Sequence, residues 1–147
     1  MMNKYVSALF SDCSKCTNYG LLVLRIGIAW LMITNHGWGM IIGGPERWAG
    51  VGKFGMQHLG INFLYTFWGF MAAFSESIGA LLIGVGFCTR IAAGLLMITM
   101  LVSTNMHITT GKGSPEMALA YAFICAALVV SGAGDLSLDK KWFAAKK

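Results

Sequence analysis

Charge is what this sequence has least of. Asp, Glu, Lys and Arg together make up 12% of the chain, and only six residues are acidic. A soluble domain of this length carries about a quarter charged residues, so the supply here is too sparse to cover a globule. The absences go further. No basic stripe with interleaved aromatics is present, which sets nucleic acid aside as a partner. No flavin, iron–sulfur or nicotinamide fingerprint occurs, so any redox role requires a partner protein that carries the cofactor. No cluster with metal-ligand spacing is seen, no low-complexity segment, and no inverted repeat of the kind many transporters use. No cleavable signal is visible either: the first apolar run, near Tyr19, follows a polar stretch with Lys4, Asp12 and Lys15 and is read as a retained span.

What the sequence does have is apolar length. Hydrophobic residues make up 56% of the 147, and the mean hydropathy is +0.66. A helix needs about 20 apolar residues to cross the hydrocarbon core. Four segments qualify: Tyr19–Met40, Ile61–Phe87, Ile91–Ile108 and Glu116–Gly132. A tight turn at Cys88-Thr89-Arg90 joins the second and third. Nineteen Gly and ten Met suit close-packed helices in lipid. The expected fold is therefore all-α, a single domain over residues 1–147. It is a transmembrane four-helix bundle with a short interfacial helix between its first two spans. That helix is expected within GGPERWAGVGKFGMQHLG (43–60), where Trp48, Val51, Phe54 and Leu59 recur at near-helical spacing and Pro45 can open a turn. A plain amphipathic loop is the other reading.

An even number of spans puts both termini on one side. Lys4, Lys15, Arg90, Lys140, Lys141, Lys146 and Lys147 fall there, against Arg47, Lys53 and Lys112 on the other. This seven-to-three bias makes the termini cytoplasmic and the protein a multi-pass protein of the bacterial inner membrane. The net charge of +5 adds attraction to anionic lipid. Trp142 and Phe143 read as interface anchors or a short amphipathic tail.

Ionisable groups inside hydrocarbon are costly, and each is a functional candidate. Glu76 lies mid-span, on a stripe of small residues (Ala72, Ala80, Gly84) that should face another helix. Arg25, in the first span, is its expected partner; a structural ion pair or snorkelling of Arg25 to the headgroups are the alternatives. His36 lies about 10 Å outward of the middle of its span, and His107 and Glu116 about 13 Å outward of theirs. Thr99, Ser103 and His107 form a polar stripe at four-residue spacing. Three helices thus bring His36, His107 and Glu116 to a similar depth, which predicts one cavity open toward the outer face. Two histidines at one depth could also ligate haem. Cys13 and Cys16 form a Cys-x-x-Cys, a spacing that suits a redox pair or half a metal site. Cys88 and Cys125 read as buried small apolar residues.

With these residues in view, the chain resembles the DoxX family of small bacterial membrane proteins over roughly Tyr19 to Asp139. The pieces are LLVLRIGIAW with Arg25, TNHGWGM with His36 and Trp38, and ESIGALLIGVGFCTRIAAG with Glu76 and Arg90. GKGSPEMALAY with Glu116 and Tyr121, and GAGDLSLD, complete them. The family is named for membrane subunits linked to a thiosulfate:quinone oxidoreductase, and other members are tied to membrane redox and thiol homeostasis. The resemblance implies a four-helix bundle and a quinone-linked or sulfur redox role. Where the family often has a basic residue after its His-Gly pair, this chain has Met40.

The expected catalytic groups are His36, His107, Glu116 and Glu76, with Arg25, Trp38, Ser103 and Tyr121 as substrate contacts. No intrinsic cofactor is expected. Quinone or a sulfur compound, membrane lipid, a redox partner protein and further copies of the chain are the expected partners. A carrier or binding protein for a small lipid-like ligand, or an assembly factor, are the alternative functions.

Overall fold

The computed structural model describes residues 13–143. The expectations for Lys4, Lys146 and Lys147 lie outside them. The described chain is helical, without strands. Helix α1 runs Ser14–Ile41, α2 Gly44–Met56, α3 Tyr65–Val85, α4 Thr89–Thr110, α5 Pro115–Ser131 and α6 Leu138–Phe143. Three of them, α1, α3 and α4, are long and apolar enough to cross a membrane. Helix α5 is apolar but has 17 residues, short of the roughly 20 that an upright crossing takes. The apolar segments thus lie where the sequence puts them, with ends shifted by a few residues.

Three helix ends have a local cause. Cys13 caps α1, its sulfur accepting the Cys16 N–H at 3.2 Å. Ser114 caps α5 by accepting the Met117 N–H, and Pro115 takes the first helical position, where no N–H is needed. Gly111 ends α4 with φ 65°, its N–H returning to the His107 carbonyl.

Helices α1 and α3 pack antiparallel and nearly in backbone contact. Gly37 abuts the Glu76 carbonyl, and Gly84 abuts Ala29. Eight residues back along α1 correspond to eight forward along α3, which defines their register. Arg25 therefore falls at the level of the α3–α4 turn, where its Nη1 lies against Gly86. By the same register α1 projects beyond that turn by about 18 Å, at 1.5 Å per residue.

The projecting part is met by the segment after α5. Asn18 and Asp135 exchange two hydrogen bonds: Asn18 Nδ2 donates to Oδ2 at 2.8 Å and Asp135 N donates to Asn18 Oδ1 at 2.9 Å. Arg25, fully buried, donates through Nη2 to the Leu136 carbonyl at 2.5 Å. Asp139 accepts from the backbone N–H groups of Cys88 at 2.7 Å and Thr89 at 3.0 Å, and its own N–H donates to the Gly86 carbonyl. A residue fifty positions downstream thus caps α4. Lys140, in an exposed ion pair 3.0 Å from Asp135, and Asn18 hold that carboxyl below the usual carboxylate range. Trp142 and Phe143 on α6 pack on Phe87.

The core occupies the half of the molecule nearest this knot. Ile28, Met32, Ala80, Ile83, Leu96, Cys125 and Leu128 fill it. Large apolar side chains such as Trp30, Ile91, Phe123 and Val130 point outward, the last 80% exposed. In water such faces would be a liability; in lipid they need no cover.

The double acceptance by Asp139 should be worth a helix cap. Asp139→Ala should destabilise the protein by about 0.5–2 kcal/mol, seen as a lower Tm in detergent, whereas Lys141→Ala should leave the Tm unchanged. Equal Tm values for Asp139→Ala and the parent would contradict the capping role.

Candidate functional site

Away from the packed half, the molecule is hollow. A cavity of about 780 Å³ is lined by α1, α2, α3, α4 and the start of α5, within the range of small-molecule sites. Its wall is mostly apolar, with Met40, Met56, Met71, Met100, Met106 and Met117 prominent and Phe67, Trp68 and Tyr121 among them. The ionisable side chains on the wall are His36, Glu76 and His107, apart from the phenol of Tyr121.

Close packing of α2 on α3 closes one side. Gly52 meets the Tyr65 carbonyl and the Gly69 nitrogen, and Gly69 meets the Trp48 carbonyl. A side chain at either glycine would push the helices apart. The Trp48 indole donates to the Met40 carbonyl at 2.9 Å and packs edge-on to Phe70, tying α2 to α1 and α3. Val51, Gly52, Gly55 and Met56 then face the cavity. The segment expected to form a short helix does so, while Phe54 and Leu59 remain exposed.

Two local irregularities shape the centre. Helix α1 contains a π-helical turn at Ile33–Gly37 and α3 another at Ser75–Gly79. Single π turns inside α-helices recur at functional sites. The two face each other, since Gly37 of one touches the Glu76 backbone of the other. His36 and Glu76 are therefore at one depth. Glu76 is buried, 8% exposed, and lines the cavity with no cation in ion-pairing range among the described residues. Beside it Ser75 Oγ lies 2.8 Å from Thr99 Oγ1.

The α4 polar stripe runs from there to the cavity's far end. His107 Nδ1 is 2.5 Å from the Lys112 carbonyl, and its Nε2 is 3.2 Å from Ser103 Oγ. A carbonyl can only accept, so Nδ1 carries a hydrogen. In the neutral ring Nε2 is then the acceptor, and Ser103 donates to it. Gly113, with φ 84°, lets the chain turn tightly over the imidazole; a Cβ there would strike the ring.

Of the expected site residues, the structure gathers His36, His107, Glu76, Ser103 and Tyr121 around this one cavity. Three others fall elsewhere. Arg25 does not pair with Glu76: the register sets it about 18 Å away along the helix axis, against Leu136 and Gly86. The expectation rested on the cost of each charge in lipid and on the two helices being sequence neighbours, which fixes no offset, and α1 slides past α3. Glu116 is exposed and off the cavity. Met117, Ala118 and Tyr121 set the inner face of α5, and at 100° per residue Glu116 points about 150° away from it. Trp38 is likewise outward, 63% exposed. Met40, marked by the resemblance only as a departure, is a cavity-wall position, and the wall residues Met56, Phe67, Trp68 and Met71 were not foreseen as such. Asp139 was also missed, because a cap supplied from fifty residues away leaves no local signal.

At the other end of α1, Cys13 and Cys16 are joined as a disulfide, while Cys125 is free and buried and Cys88 is free and half-buried. No group of three or more metal-binding side chains occurs among the described residues.

Comparison with known proteins fits this architecture. The DoxX family model matches residues 20–110, which spans α1 through α4. A protein of Haemophilus influenzae described as an uncharacterized protein is 30% identical over 141 residues, covering 90% of this chain and 98% of its own. No solved structure matches. With the family match covering more than half of its length and three helices fit to cross a bilayer, the chain is a membrane protein and belongs to the DoxX family.

Proposed function

We propose that this protein is the quinone-binding membrane subunit of a redox system, with the cavity as its quinone site. The observation that carries the reading is the meeting of His36, Glu76 and the Ser103–His107 pair on an otherwise apolar, methionine-rich wall. A quinone is a flat apolar ring with two carbonyl oxygens. It needs a slot that excludes water and donors at its oxygens, and its reduction takes up two protons along with two electrons. Glu76 and His36 sit at one depth to bind and protonate one side. Ser103 and His107 can hold a proton on the wall, because a His107 protonated at Nε2 donates to Ser103 while Nδ1–H stays on the Lys112 carbonyl. Electrons come from a partner protein that carries the cofactor. Met40 favours a neutral ligand over an anionic sulfur compound: it lines the cavity where family members often place a cation. The haem reading is weaker, since His107 would have to give up its Ser103 contact to ligate iron. A non-redox carrier of lipid-like ligand uses the same cavity, and it is separated by whether the bound ligand changes oxidation state when the partner is supplied.

In the bilayer, α1, α3, α4 and α5 form a four-helix bundle, and α2 lies at the outer surface over the cavity mouth. Both termini face the cytoplasm of the bacterial inner membrane. The support is the placing of Arg90, Lys140 and Lys141 at the end of the molecule opposite the cavity.

Two outcomes are expected. Purified protein should bind a ubiquinone or menaquinone analogue, measured by fluorescence quenching. His36→Ala and Glu76→Gln should each weaken the Kd by ten- to a hundredfold, the loss of about 1.5–3 kcal/mol for a hydrogen bond from a charged group. Cys13→Ser should leave it unchanged. Parent-like affinity in both His36→Ala and Glu76→Gln would remove the quinone reading. For topology, alkaline phosphatase fused after Lys147 should be inactive and fused within 57–60 active; the reverse pattern would invert the orientation.

A further inference from the structure

We propose that Cys13 and Cys16 form a second site, a thiol–disulfide exchange centre for a soluble protein bearing a vicinal pair of thiols. The site is separate from the cavity and does not rest on the quinone reading. The two sulfurs are bonded, and both residues are exposed. Among the described residues they lie at the start of α1, beyond the α3–α4 turn and beyond Asn18, where the segment after α5 meets this helix. His36, the nearest cavity residue on the same helix, is about 35 Å further along at 1.5 Å per residue. A water-borne partner can therefore reach the pair while the rest of the chain stays in the membrane.

A structural role explains the bond poorly. It joins residues three apart in sequence, so it closes one of the shortest loops a disulfide can, where the chain-entropy gain is least. The turn it spans is already held by the Thr17 N–H to Cys13 carbonyl bond. Nor does it tie two elements together; that task at this end falls to Asn18 and Asp135.

A chemical role explains the surroundings. Cys13 is the N-cap residue of a 28-residue helix, and its sulfur already accepts the Cys16 N–H. The first turn contains no acid, and Lys15 stands between the cysteines. A helix N-terminus and an aimed N–H both stabilise a thiolate on Cys13, and they act against the charge of Asp12, the residue before it in sequence. A stabilised thiolate is a good leaving group, the property that speeds exchange.

A partner thiolate attacks the Cys16 sulfur, and the Cys13–Cys16 bond breaks with its electron pair leaving on Cys13. The partner's second thiol, deprotonated to solvent, attacks its own sulfur in the mixed disulfide and releases Cys16, which takes a proton. The partner ends as a disulfide, the Cys13–Cys16 pair as a dithiol, and two electrons have moved. The reverse step reduces a partner disulfide.

The test uses the full chain in detergent micelles with dithiothreitol as the probe dithiol. In buffers of graded reduced-to-oxidised dithiothreitol, maleimide gel shifts should show a reversible release of two thiols with no change in Tm. In Cys16→Ser, the pH midpoint of Cys13 alkylation by iodoacetamide should lie about one pH unit or more below that of Cys16 in Cys13→Ser. Serine suits both positions at a helix start, and Tm values would verify that each variant folds. A bond that dithiothreitol leaves intact, or that reforms only after unfolding, would overturn the proposal. Equal midpoints, or a lower one for Cys16, would overturn it as well. Quinone binding should be unmoved in both variants, so the two sites fail or stand separately.

Discussion

The contact between Gly37 and the Glu76 backbone decides the depth of everything else in this molecule. Without a side chain at residue 37, α1 and α3 approach until backbone meets backbone. Such approach is what holds helices together in lipid, where burial of apolar surface offers no driving force between them. The same contact places two π-helical turns face to face and brings His36 level with Glu76. It also lets α1 slide past α3, so that Arg25 lies level with the α3–α4 turn while Glu76 stays mid-helix, without a counter-charge among the described residues. A buried carboxyl with no cation beside it is costly. Its opening into a cavity gives that cost a purpose that an internal ion pair would not.

The two halves of the molecule divide the work. At the Arg25 end, small and branched side chains close the interior, and the segment after α5 binds the helix ends through Leu136 and Asp139. Every one of those bonds runs to a backbone group, so they fix positions. At the other end the wall is methionine and aromatic, soft and adaptable, and the polar groups on it are few and spaced.

Much of this was legible in the sequence because lipid imposes a length rule and forbids stray charge. The apolar segments follow from hydropathy alone, and so does a short turn between the second and third, although it falls at residues 86–88 and Thr89 and Arg90 already belong to α4. Glu76 was placed inward by its small-residue stripe, His36 and His107 were gathered by depth, Ser103 by the polar stripe on α4, and Tyr121 by the family resemblance. What failed depended on rotation and sliding. Glu116 differs by one residue from Met117, but one residue is 100° of helix. Arg25 and Glu76 were matched because their helices adjoin, which says nothing about offset. Asp139 lay hidden because a cap from a distant segment has no local pattern. The π-helical turns leave no trace in hydropathy either.

The claim at the centre is that the hollow half is a quinone site, and photo-crosslinking tests it most directly. An azidoquinone irradiated with the protein in nanodiscs, followed by peptide mass spectrometry, should label wall residues such as Met40, Met71, Met117 or Tyr121, and excess unlabelled quinone should suppress the adducts. Adducts confined to outward residues such as Trp30, Ile91, Phe123 or Val130, or insensitive to competitor, would show that quinone meets this protein only as it meets any surface in the bilayer.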